Sequence, residues 1–195
     1  MKTYRNEKGI IINMGEELID VLNEDGIKTG EVLPRNEVHK KGLWHRIIVA
    51  AIIDNDNKIL MQQRAAVKDK NPNRWDISVT GHISSGQDSL SAVAREINEE
   101  VSMDLGFNVD IKDFRYMFSY RKQEKVSSEH MDRQYYDFFI LRKSEIDISK
   151  IKFQESEVQQ IKLVTLTELV QMIENKKIVE RPEVYNELVN YLFRI

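Results

Sequence analysis

Three glutamates, Glu96, Glu99 and Glu100, stand at i, i+3 and i+4 within Arg95-Glu96-Ile97-Asn98-Glu99-Glu100. On a helix that spacing puts their carboxylates on one face. No lysine lies one turn away, and Arg95 is the only cation close by. Carboxylates crowded in this way repel one another unless water or a cation absorbs the field. Two arrangements meet that need. One is a solvated acidic helix face; the other is an oxygen-ligand site for a hard divalent ion, Mg²⁺ or Mn²⁺, completed by substrate phosphates.

The surrounding pattern supplies elements to hold such a site. Gln87 to Val101 carries apolar residues at 90, 93, 94, 97 and 101, the helical period. Before it, Arg46 to Ile53 is a continuous apolar run that predicts a strand buried on both faces. Asp54 to Asn57 reads as a turn and Lys58 to Arg64 as the returning strand; Trp75 to Val79 is a short strand leading to Gly81. Leu18 to Leu22 and Ile27 to Gly30 flank a turn and predict an N-terminal hairpin. Further strands are expected at 113–120, 134–141 and 161–166. Thr167 is expected to cap a helix with Leu169, Val170 and Ile173 buried, and Pro182 to open a last helix over 181–193. Mixed strands and helices in this order predict an α/β class.

With Gly81 fourteen positions before Arg95, the segment resembles the Nudix box, Gly-x5-Glu-x7-Arg-Glu-U-x-Glu-Glu-x-Gly-U, where U is a bulky aliphatic residue. Gly81, Arg95, Glu96, Ile97, Glu99, Glu100 and Met103 fall on their places, while Gln87 replaces the first glutamate and Ser102 the last glycine. The resemblance implies a Nudix-type α/β/α sandwich with a mixed sheet and the box as loop–helix–loop, here with an N-terminal β-hairpin extension. It implies a single domain over 1–195, divided into an extension at 1–44, a core at 45–175 and a C-terminal helix at 176–195. It also implies that Glu96, Glu99 and Glu100, with the Gly81 carbonyl, hold Mg²⁺, with Mn²⁺ as a substitute. Arg95 would orient the glutamates. Its usual partner is the glutamate replaced by Gln87, whose carbonyl oxygen can still accept a hydrogen bond but without charge. Ser102 in place of a helix-ending glycine costs on the order of 1 kcal/mol. The general base in this family commonly comes from a glutamate before a late strand, a place taken here by Glu157; Asp132 and Asp137 are lesser candidates.

A second resemblance, over Arg35 to Gly86, is to type I isopentenyl-diphosphate isomerase, a Nudix-fold enzyme that does not hydrolyse. It implies that Arg64 and Lys68 hold a diphosphate and that His39, His45 and His82 form a metal site. Physically, a guanidinium fork and an ammonium point charge four residues apart make a workable diphosphate clamp. Trp75 falls within the same match and is either a stacking platform for a base or a core residue. The isomerase needs a cysteine near Thr80, and this chain has none. Its two glutamates have an aspartate and a glutamine as counterparts within Asp132 to Gln134.

The resemblance therefore implies a Mg²⁺-dependent hydrolase of a diphosphate linkage in a nucleoside diphosphate derivative or similar small molecule. The alternatives are an isopentenyl-diphosphate isomerase and a non-catalytic ligand sensor. Composition agrees with a small-molecule partner. A charge of −3, from 29 basic and 32 acidic residues, excludes a strongly basic nucleic-acid binder. Zero cysteines exclude disulfides and thiol nucleophiles. With no long apolar run, a membrane partner is not expected, the cytoplasm is favoured, and a homodimer is compatible with the sequence.

Overall fold

The computed structural model describes the backbone at residues 3–5, 11–13, 16–68, 70–99, 109–125 and 131–194, and the side chains at 16–68, 70–97, 109–125 and 131–194. Strands β1 (Thr3–Arg5) and β2 (Ile11–Asn13) pair with each other. β3 (Leu18–Leu22) and β4 (Lys28–Pro34) form the expected hairpin. Its turn works because Asn23 Oδ1 accepts the amides of Asp25 and Ile27 at 3.0 and 2.9 Å, while Gly26 adopts a φ of 78° that favours glycine. A six-residue helix, α1 (Arg35–Lys40), follows. It was not foreseen, because only Val38 is buried on it and so short a helix leaves no period to read.

The centre is a mixed sheet built on β5 (His45–Ile53). Next come β6 (Ile59–Arg64), β7 (Trp75–Ile77), β8 (Val79–His82), the box helix α2 (Ser89–Glu99), β9 (Arg115–Lys125), β10 (Met131–Arg142) and β11 (Val158–Val164). The order is β11-β6-β5-β10-β9, with β7 on β6 and β8 on β5. β10 runs parallel to β5 and the remaining pairs are antiparallel. The strand expected over 75–79 is split at Ser78, whose side-chain oxygen bonds the Ile52 amide at 2.9 Å and the Leu60 carbonyl, tying β7 and β8 to different partners.

β5 is buried on both faces. Ile47, Val49, Ala51 and Ile53 pack with α3 (Leu166–Glu174) and α4 (Pro182–Leu192); Ile48, Ala50 and Ile52 pack with Ala92, Val93 and Ile97 of α2. The period-2 alternation of one strand thus serves two cores. The cap of α3 is Thr165 rather than Thr167. Thr165 accepts from the Glu168 amide at 3.2 Å, and Glu168 returns to the Thr165 amide at 2.7 Å. This reciprocal capping box satisfies two helix-end amides at once, which Thr167 could not do. Among the described residues, no helix is long and apolar enough to cross a membrane.

Candidate functional site

The box helix starts where Asp88 Oδ1 accepts the Ser91 amide at 2.7 Å, and it lies against β8. Glu96 and Glu99 occupy i and i+3 of α2; the side chain of Glu99, and Glu100, Ser102 and Met103 altogether, lie outside the described residues. The Glu96 carboxylate rests directly on Gly81. A Cβ at that glycine would stand 2.0 Å from Glu96 Cδ, so only hydrogen fits. Glu96 is 1 % exposed, and burying a carboxylate so fully requires a counter-charge. Arg95 provides it, donating from Nη2 to Glu96 Oε1 at 2.6 Å and to the His82 carbonyl at 2.7 Å. Arg95 Nε also donates to Gln87 Oε1 at 3.1 Å, so the amide keeps the geometric role expected of that position. Gly81, Arg95 and Glu96 therefore form one packed unit, and its carboxylate is the donor type that a hard divalent ion takes.

At the far end of β6, Lys68 Nζ meets Glu157 Oε2 at 2.6 Å, and the Glu157 carbonyl accepts the Ala65 amide at 2.9 Å. The expected diphosphate cation and the expected base are thus brought together as an ion pair, half-exposed. Arg64 does not share their target, since its Nε donates to the Lys70 carbonyl at 3.2 Å and braces its own loop. Trp75 packs one side on the core and carries Lys162 Nζ over its ring, 4.4 Å from the centroid. Asp137 faces α2 and binds Arg46 at 2.6 Å together with Ser89 and Ser119, a structural set of partners.

On β8 the neighbours of Gly81 point to the opposite side of the sheet. There His39, His45 and His82 bring one ring nitrogen each to within 4.8 Å of one another. His39 Nε2 and His82 Nε2 are 3.0 Å apart, and the His45 and His82 rings stack at 5.3 Å. His45 Nδ1 lies 2.9 Å from the Leu43 carbonyl, which can only accept; Nδ1 therefore carries the proton and Nε2 keeps its lone pair. Burial pushes the His45 imidazole down to about 4 and His82 well below the ordinary histidine value, with Arg35 and the neighbouring imidazoles adding to the latter. Asp132 Oδ1 stands 3.5 Å from His39 Nδ1, and Gln134 Nε2 3.3 Å from His45 Nε2. Three imidazoles with one adjacent carboxylate fit a borderline transition ion better than Mg²⁺.

Beneath the histidines lies a polar network that sequence reasoning missed. Arg181 Nη2 reaches both oxygens of Asp76 at 2.7 Å and Thr80 Oγ1 at 3.3 Å, and Tyr185 donates to the same aspartate. Burial disfavours the Arg181 charge, but Asp76, Tyr185 and Tyr136 together outweigh it and hold the guanidinium above its ordinary value. Asp76 and Arg181 are 105 positions apart, and neither lies in a motif, so nothing local could have linked them. Thr80, where the isomerase chemistry needs a thiol, is bonded to Asp76 at 3.3 Å.

Comparison with known proteins agrees with this layout. The NUDIX domain model matches residues 44–186. Nudix hydrolase 3 of Arabidopsis thaliana is 34% identical over 159 residues, which is 80% of this chain but 20% of the plant protein's length. An isopentenyl-diphosphate Delta-isomerase of Serratia proteamaculans is 26% identical over 125 residues, covering 64% of this chain and 65% of the other. A crystal structure of a Deinococcus radiodurans protein superposes with a TM-score of 0.67 at 21% identity, over 89% of this chain and 98% of that one.

Proposed function

Because the chain belongs to the Nudix hydrolase family, whose domain model spans residues 44–186, we propose that it is a Mg²⁺-dependent hydrolase cleaving a diphosphate linkage. The substrate is a nucleoside diphosphate derivative or a small molecule of like chemistry, and Mn²⁺ can replace Mg²⁺. The observation that carries this reading is the Glu96 carboxylate seated on Gly81 and clamped by Arg95. The contact commits a buried carboxylate to the glycine that precedes the box helix, although a buried ion pair contributes little to stability over an apolar pair of the same volume.

Glu96, Glu99, Glu100 and the Gly81 carbonyl would hold the ion. When bound, it neutralises diphosphate charge and lowers the pKa of a coordinated water. The chain's own groups do the remaining work. Arg95 fixes the Glu96 rotamer, so little reorganisation is left for the moment of reaction. Lys68 offers a point charge to the diphosphate; as it swings to the substrate it releases Glu157, which is then free to accept a proton from the attacking water. Arg64 braces the loop that carries Lys68 through the Lys70 carbonyl, and Trp75 borders the same loop.

A second reading, isopentenyl-diphosphate isomerase, is favoured by the assembled His39, His45 and His82 and opposed by Thr80. A hydroxyl of such high pKa, bonded to Asp76, cannot replace a thiol in proton transfer at carbon. One experiment separates the readings: phosphate release with Mg²⁺ over a panel of diphosphates, run beside solvent-deuterium exchange into isopentenyl diphosphate. Glu100→Gln should lower Mg²⁺-dependent turnover on the order of a hundredfold, because one ligand charge is lost. Absence of Mg²⁺-stimulated release across the panel would sink the hydrolase reading, and unchanged turnover in Glu100→Gln would make Glu100 a spectator; deuterium exchange would favour the isomerase.

A further inference from the structure

Arg95 organises the carboxylate centre, and the residue that touches its Nε, Gln87, brings no charge. A second carboxylate reaches the same guanidinium from outside the box. Glu17 Oε1 lies 3.9 Å from Arg95 Nη2, with the two side chains 25% and 20% exposed. That separation is long for a hydrogen bond and short for two opposite charges, so the interaction is coulombic and half-screened.

Glu17 does not arrive there by chance of rotamer. Its Oε1 accepts from Ser84 Oγ at 3.3 Å, its Oε2 from Arg35 Nη1 at 3.1 Å, and its carbonyl from the Arg35 amide at 2.9 Å. The following strand, β3, is zipped to the loop that opens the box. Ile19 forms a bridge with Ser84, and the Ser85 amide donates to the Leu18 carbonyl at 2.7 Å. Asp20 accepts from Ser85 Oγ at 2.6 Å and from the Gly86 amide at 3.2 Å. The hairpin is therefore registered against residues 84–86, and register places Glu17 beside Arg95 each time the chain folds.

We infer that Glu17 is a positioning residue for the carboxylate centre, supplying from the N-terminal hairpin the negative charge on Arg95 that Gln87 lacks. The inference rests on the hydrolase reading and adds a residue to it. Held between Glu96 on one side and Glu17 on the other, the guanidinium stays in the orientation that seats Glu96 on Gly81. The N-terminal extension then has a task at the centre rather than merely beside it.

The test is a rescue. Glu17→Gln keeps the shape and the acceptor for Ser84 while removing the charge. Gln87→Glu places a charge back on Arg95 from the box itself. Mn²⁺ binding is followed by the paramagnetic resonance of free Mn²⁺, counting only the bound fraction that Mg²⁺ displaces, since oxygen ligands accept Mg²⁺ where imidazoles do not. Glu17→Gln should weaken that affinity about fivefold, the scale of a half-exposed ion pair. Adding Gln87→Glu should restore it to within about twofold of the wild type, on the same scale. Unchanged affinity in Glu17→Gln overturns the inference. So does a loss that persists in the double variant, which would show that Glu17 only anchors the hairpin through Arg35 and Ser84. A wild-type chain with no Mg²⁺-displaceable Mn²⁺ would instead overturn the hydrolase reading itself, and this inference with it.

Discussion

Acid should destabilise this protein through the histidine cluster, and the effect can be worked from one residue. His45 is fully buried and its imidazole is pushed from 6.5 down to about 4. In the unfolded chain the same group titrates near its ordinary value. Between those two values the unfolded state takes up a proton that the folded state refuses, so stability falls as pH falls through this window. Above it both states are neutral and the full stability is present. At pH 5 the loss from His45 alone is about 2 kcal/mol, from a shift of two to three units at about 1.4 kcal/mol each, sampled partway. His82 is displaced in the same direction by burial and steepens the slope. For a domain of this length, about 2 kcal/mol lowers Tm by roughly 4–8 °C. Thermal unfolding in a chelating buffer between pH 7 and pH 5 measures it, a range above the zone where carboxylates titrate. A flat Tm over that range, or a slope identical in His45→Gln, would refute the reasoning.

Three further outcomes follow from the same contacts. Gly81→Ala drives a methyl into the Glu96 carboxylate; it should destabilise by about 1–3 kcal/mol as overpacking does, and raise the Mg²⁺ needed for half-maximal turnover. A wild-type Mg²⁺ dependence in that variant would show that Glu96 can leave Gly81 freely. Asp76→Asn strips Arg181 of its counter-charge and should cost about 3–5 kcal/mol in urea unfolding; a loss well under 1 kcal/mol would mean that water compensates the guanidinium. Co²⁺ or Zn²⁺ at a hundred times its dissociation constant should raise Tm by roughly 5–10 °C through the imidazoles, with Co²⁺ ligand-field absorption lost in His82→Ala. The same absorption in that variant would place the ion elsewhere.

How much of this was legible in the sequence depends on how far each cause reaches along the chain. The box could be read because its parts lie within one loop and one helix, where spacing alone fixes which residues share a face. β5 could be read because burial on both sides removes every polar residue from its interior. The Thr165 cap was misplaced by two positions because Thr165 and Thr167 both precede the apolar run, and only Glu168 at the third position decides between them. The partners of Arg181 and Arg95 could not be read at all. Asp76 and Glu17 are ordinary acidic residues until β7 and the hairpin carry them across the fold. The clamp came from the resemblance alone, and nothing in the sequence linked Lys68 to Glu157 or foretold that Arg64 would turn to its own loop.

The two family resemblances meet on a single strand, and its pleat keeps their parts separate. Along β8, Gly81 faces the box helix and receives Glu96, while Thr80 and His82 face the other side, toward Arg181 and the imidazoles. Alternate residues of one strand thus face two sites that share a backbone but little else. A substitution on one face can change without disturbing the other, which is why a chain can hold three histidines in a ligand-like cluster while lacking the thiol that the isomerase chemistry requires. Arg95 touches the strand as well as its glutamate, since its Nη2 holds Glu96 and also the carbonyl of His82. That second contact is to backbone, so it fixes Arg95 to β8 without involving the His82 imidazole.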